Sequence, residues 1–182
     1  MLNRNEKHNQ SGRSMIEMLG VLAIVGVLSA GGIAGYSMAM QSYKTNLLIE
    51  RINLIATRVR TVYKSGNYTG VSNSNMINSG KLSDKDLENP FGNTLTVRLP
   101  GAGATEPSIR FLIDTNVANI PSEVCTDIVM NDWGKEGVFF GIDVVGDTTT
   151  PFWTLNGTYP VDISAAITAC QGGDKRVKVS FY

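Results

Sequence analysis

The chain has 182 residues, with 16 Lys and Arg against 16 Asp and Glu, one His and two Cys. That length fits one globular domain plus a membrane helix, and the even charge balance lacks the basic excess of a general nucleic-acid binder. The single histidine, His8, lies ahead of every patterned segment. Past it, Ser-His-Asp and Cys-His catalysis and His-ligated zinc are excluded.

The first segment is polar and basic, with Arg4, Lys7 and Arg13 against Glu6. Met18 to Met40 then gives 23 residues without a charge. As a helix, such a run reaches about 34 Å, enough to cross a hydrocarbon core of about 30 Å. Glu17 sits at the start of that run, about one turn inside the apolar segment. A carboxylate there costs a few kcal/mol on insertion scales, so it calls for a partner or a task. A secretory signal peptide has a shorter apolar core and a small-residue cleavage site, for which Ser29-Ala30-Gly31 is a weak match. A plain membrane anchor fits the length and gives no reason for Glu17.

Ser11-Gly12-Arg13-Ser14-Met15-Ile16-Glu17, followed by the apolar run, resembles the type IV pilin family, which includes type II secretion pseudopilins. The resemblance implies a leader over residues 1–12, removed by a prepilin peptidase that cuts after Gly12. It implies methylation of the new N-terminus, and a Glu as fifth mature residue, which is Glu17. Arg13 would be the first mature residue, where the family has Phe or Met. Gly26 and Tyr36 fall where the family places Gly and an aromatic. The implied organisation is a leader over 1–12, an apolar transmembrane and assembly helix over 13–40, and a globular head over 41–182. Without residues 1–12 the chain keeps 14 basic and 15 acidic residues, a net of −1.

Helical patterning continues past the apolar run. Leu48, Ile52, Ile55, Val59 and Val62 recur at helical spacing, with Lys44, Glu50, Arg51, Arg58 and Arg60 mostly elsewhere. Ser65-Gly66-Asn67 is a stop signal, so the spacing predicts one helix over about 14–65. Gly20, Gly26, Gly31, Gly32 and Gly35 weaken it, yet small residues favour close helix packing in an apolar medium. Residues 66–93 are turn-rich and predict an irregular connection with at most a short helix near Ser83–Glu88. Strands are predicted at Thr94–Leu99 and at Ser108–Asp114, where Ile109, Phe111 and Ile113 alternate with Arg110 and Leu112. Pro121-Ser122 opens a short helix carrying Val124, Cys125, Ile128 and Val129. Gly137–Val145 reads as a strand, Asn156-Gly157 as a turn, and Asp162 as the cap of a helix running to Cys170. Val177, Val179 and Phe181 alternate with polar residues in a closing half-buried strand. The fold class is therefore α+β, with an antiparallel sheet packed on the amphipathic half of the long helix.

Cys125 and Cys170 both follow the apolar segment. A basic leader keeps the N-terminus cytoplasmic and places the head outside, where a disulfide is permitted. Two free thiols are the alternative, and the resemblance favours the bond, since a disulfide-bounded C-terminal region is common in the family. Asn89-Pro90-Phe91-Gly92-Asn93 and Ile120-Pro121-Ser122-Glu123-Val124-Cys125 resemble the type IVb subclass.

Other constellations carry less. Asp84, Asp86 and Glu88 offer carboxylates for calcium, but they lack the Gly and closing acid of an EF-hand and read as a solvated or capping cluster. Gly101-Ala102-Gly103 lacks the Lys and Ser/Thr of a phosphate loop. Asn67-Tyr68-Thr69 and Asn156-Gly157-Thr158 match glycosylation sequons by chance. Trp133, Phe139, Phe140, Phe152 and Trp153 are expected in the core or in a subunit interface.

The expected function is that of a structural subunit, with no enzymatic activity and no cofactor or metal, that polymerises through its N-terminal helix. The resemblance implies other pilin subunits, the prepilin peptidase, an assembly ATPase and its membrane platform as partners. It places the chain in the inner membrane before assembly and in an extracellular filament afterwards. The rivals are a pseudopilin and a membrane-anchored exported enzyme or ligand-binding domain, for which no spacing supplies a histidine-free mechanism.

Overall fold

The computed structural model describes residues 10–100, 110–116, 120–134, 139–145, 151–154, 162–172 and 175–182. Five helices, α1 (Gln10–Val62), α2 (Asn73–Asn78), α3 (Asp84–Leu87), α4 (Ser122–Met130) and α5 (Ile163–Cys170), accompany five strands among them. The strands are β1 (Thr96–Arg98), β2 (Phe111–Asp114), β3 (Phe139–Val145), β4 (Pro151–Thr154) and β5 (Arg176–Phe181). The chain divides into two compact units, Met1–Gln41 and Ser42–Tyr182.

Within the first unit, α1 begins at Gln10 rather than near residue 14. The stretch Ser11-Gly12-Arg13-Ser14 holds no proline, and one glycine costs a helix only about 1 kcal/mol. The helix ends at Val62, where Tyr63 still donates to the Val59 carbonyl (2.9 Å) and Gly66 to that of Tyr63 (3.0 Å). Gly66 has φ +71, a left-handed turn that glycine enters without a Cβ clash.

In the second unit the stripe Leu48, Ile52, Ile55 and Val59 is fully buried, joined by Ala56 and Thr45. Val62, expected on that stripe, is 36% exposed, and the partly buried Tyr63 and the buried Tyr68, with ring centroids 5.7 Å apart, pack there instead. The sheet is antiparallel in the order β1-β2-β5-β3-β4. The last strand in the chain is thus the central one. Register aligns Val97 with Ile113, Ile113 with Val179 and Val179 with Ile142. This apolar row shares one core with the α1 stripe and with Val124, Cys125, Ile128, Val129, Ala166, Ala169 and Cys170 of α4 and α5.

On the opposite sheet face, Asp114 lies between Arg98 and Arg176, at 3.3 Å from each, and Lys178 pairs with Asp143 at 3.3 Å. Asp114 and Leu112 are both buried. β2 is therefore covered on both faces, where alternation predicted burial on one. The buried carboxylate is tolerated because two guanidinium groups offset its desolvation.

The connection 63–95 holds more structure than its composition predicts. α2 was not expected from the run Ser72-Asn73-Ser74-Asn75; it forms because Ser72 caps it, accepting the Asn75 N–H at 3.2 Å, and because Met76 is fully buried. α3 lies inside the Ser83–Glu88 region. β4 was also missed. β3, α4, α5 and β5 occupy their expected segments, and Asp162 caps α5 by accepting the Ser164 N–H at 2.8 Å. Residues 101–109, 137–138 and 156–158, with the Gly101-Ala102-Gly103 run and the Asn156-Gly157 turn, lie outside the described residues.

Candidate assembly surface

From Met15 to Met38 every large apolar side chain on α1 is at least 51% exposed, on all sides of the helix. Nothing lies within 4 Å of a Cβ added at Gly20, Gly26, Gly31, Gly32 or Gly35. A helix that is apolar all round must be covered by lipid or by other helices. A contiguous exposed apolar surface of this extent marks a contact site. Among the described residues this is the one helix long and apolar enough to cross a membrane.

Glu17 is exposed on this helix, one position after Ile16 and one before Met18. Gly12 and Arg13 lie in its first turns, so the peptide bond between them is helical. Arg13 stands four residues before Glu17. At 1.5 Å per residue these positions are about 6 Å apart along the axis and on neighbouring parts of the helix surface.

Within the second unit, basic side chains that the helical pattern sets off the apolar stripe hold the rest of the unit to its own part of α1. Arg51 donates to the Glu88 carbonyl oxygen. Arg58 donates to the Lys81 carbonyl (3.0 Å) and to Asp86 Oδ2 (2.6 Å). Asp86 also accepts from the Ser83 N–H and hydroxyl, each at 2.8 Å, closing a capping box on α3. These hydrogen bonds, the Ser83 N–H first, hold the Asp86 carboxyl below its ordinary value. Lys44 lies 5.9 Å from the Phe91 ring centroid. The missed signal was spacing: Arg51 and Arg58, seven apart, fall on one side of the helix.

Arg60 is the third anchor. Its Nε donates to the Tyr182 carbonyl (2.9 Å), and its guanidinium lies over the Phe181 and Phe111 rings at 5.3 and 6.0 Å. Burial lowers its pKa and raises that of Tyr68, with each group partly countering the shift of the other.

Cys125 and Cys170 form a disulfide across α4 and α5, Cα to Cα 5.7 Å, with both residues fully buried. Trp133 belongs to the core, donating Nε1–H to the Ile128 carbonyl at 2.9 Å and standing edge-on to Phe181. The side chains of Phe139, Phe140, Phe152 and Trp153 lie outside the described residues. Among the described residues no three His, Cys, Asp or Glu side chains are grouped to hold a metal ion. Within the acidic stretch, Asp86 is used for capping, and Glu88 pairs with Arg51 at 3.9 Å.

No protein-family model matches the chain. It is 22% identical to the major structural subunit of the bundle-forming pilus of Escherichia coli O127:H6, over 98% of this chain and 96% of that one. It is 29% identical to the toxin coregulated pilin of Vibrio cholerae serotype O1, over 80% of this chain and 71% of that one. Among solved structures it is similar to a type IV pilin from Vibrio cholerae El Tor biotype, with a TM-score of 0.56 and 17% identity. That match covers 76% of this chain and 98% of the other. A type IVb pilin from Salmonella typhi gives a TM-score of 0.50 at 17% identity, over 72% of this chain and 95% of that one.

Proposed function

From a chain that has the type IV pilin fold and pilin homologues, we propose a structural subunit that polymerises through its N-terminal helix into a pilus-type filament. The observation that carries this reading is the uncovered apolar surface of α1 between Met15 and Met38. Lipid solvates that surface before assembly, in the inner membrane with the head on the outer side. In the filament, helices of other copies replace the lipid. The apolar area buried is similar in both settings, so close packing must favour the polymer, and the five glycines permit short interhelical distances.

Processing falls after Gly12 in this proposal, with Arg13 as the methylated first residue. A helical peptide bond must unwind to enter a protease, and glycine is the residue whose helical state is easiest to abandon after proline. Glu17 then neutralises the N-terminal amine of a neighbouring copy, which offsets the desolvation of both groups and sets the axial register. A prepilin peptidase, an assembly ATPase and a membrane platform are the partners this pathway requires.

Two measurements test the reading. Mass spectrometry of the exported protein should give a chain beginning at Arg13; a start near Gly31 would instead support a secreted enzyme. Glu17→Val should insert into the membrane and be processed normally, yet form few filaments by electron microscopy. Normal assembly with unchanged register would refute the charge pairing.

A further inference from the structure

An exposed sheet edge offers unpaired N–H and C=O groups to any extended chain, including another copy of the same protein. Among the described strands the sheet edges are β1 and β4. From Leu95 to the Val97 N–H the β1 edge is not open. β1 pairs on one side with β2. On its other side the Leu95 N–H donates to the Leu87 carbonyl at 2.7 Å. The side-chain amide of Asn73 takes the next two groups. Its Nδ2 donates to the Leu95 carbonyl at 2.8 Å, and its Oδ1 accepts the Val97 N–H at 2.8 Å. One side chain therefore reproduces the donor and acceptor pair that a neighbouring strand would present.

The local structure holds Asn73 in place. It is the first residue of α2, directly after the capping Ser72. The turn before it is fixed by Gly70 at φ +83, whose carbonyl accepts from Asn75 Nδ2 at 2.6 Å. Met76, one turn on, is fully buried.

We infer that Asn73 is an autoinhibitory plug that denies the β1 edge to a strand of a second copy, so that sheet-to-sheet association cannot propagate. Pairing the β1 edge of one copy with the β4 edge of the next is heterologous and open-ended. With β1 plugged, that head-to-tail pairing has no free β1 edge to use. Growth through the β1 edge is then blocked, which leaves extended polymerisation to other surfaces. This holds whatever the N-terminal helix does.

The test uses the full chain in detergent micelles, which cover the apolar helix. Amide hydrogen exchange at Val97 is followed by NMR over a tenfold concentration range, with sedimentation velocity alongside. In the wild type, Val97 should be protected equally at all concentrations. In Asn73→Ala, Val97 should exchange at least about tenfold faster when dilute. It should regain protection on concentration, together with β-rich species larger than dimers. Two results would overturn the inference: a folded Asn73→Ala whose Val97 stays fast without such species, or wild-type protection that rises with concentration. Should Asn73→Ala fail to fold, Asn73→Asp keeps the acceptor for Val97 but places an oxygen against the Leu95 carbonyl. It should show partial edge opening by the same readout, and wild-type behaviour in that variant also counts against the plug.

Discussion

Arg60 and Tyr182 are 122 residues apart, yet Nε of the first donates to the carbonyl oxygen of the second at 2.9 Å. The contact ties the end of β5 to α1. It also fixes Phe181 beneath the guanidinium, 5.3 Å from its ring centroid. Because β5 is the central strand, whatever holds its end steadies β2 and β3 on either side.

Arg60→Met should therefore destabilise the second unit while keeping most of the side-chain stem in place. Loss of a charge-assisted hydrogen bond and two cation–π contacts points to about 2 kcal/mol. Urea unfolding followed by tryptophan fluorescence checks this. A loss below about 0.5 kcal/mol would mean that the apolar contacts of Phe111 and Phe181 suffice.

The Cys125–Cys170 bond closes 45 residues that include α4, β3, β4 and α5, none longer than 9 residues. Replacing both cysteines by Ala should cost about 4 kcal/mol in the chain-entropy treatment. The cleavage sites exposed to limited proteolysis should cluster between residues 121 and 172. Unchanged proteolysis under reducing and non-reducing conditions would contradict this.

Residues 42–182 expressed alone should fold and stay monomeric, since the buried Thr45, Leu48, Ile52, Ile55 and Val59 are all retained. The apolar surface of Met15–Met38 is removed with residues 1–41, and with it the contacts proposed to drive assembly. Light scattering at micromolar concentration is the measurement. Regular filaments from this fragment would shift the assembly role to the head.

Acid should act in two opposite directions. Asp86 and Asp162 are held below the ordinary carboxyl value of 3.8, chiefly by the Ser83 and Ser164 backbone N–H groups. Their contribution is complete above 3.8 and is lost as pH falls through the lower folded values. The amides of Ser83 and Ser164 should thus lose exchange protection in that range. Asp127 is raised by burial and by Glu123, so its ionised form works against folding at neutral pH and protonation relieves it. Asp127→Asn should be stabilising at pH 7, by less than about 0.5 kcal/mol, and neutral in acid. A destabilised variant at pH 7 would show that the carboxylate has a favourable partner.

Much was legible from local pattern. Glu17 ahead of 23 uncharged residues, the spacing of Leu48, Ile52, Ile55 and Val59, the cap at Asp162 and the alternation of Val177, Val179 and Phe181 are all local signals. Each depends on residues a few positions apart, where helical and strand periods act directly. Tertiary structure alone decided that β5 lies between β2 and β3, that Arg60 reaches Tyr182, and that Asn73 meets Leu95 and Val97. It also decided that Leu112 and Asp114 are buried on the face away from the apolar row. These pairings join groups separated by tens of residues, and their free energy comes from desolvation and hydrogen-bond completion at the meeting point. Neither end carries a local mark of its partner, so a one-dimensional pattern holds no trace of them.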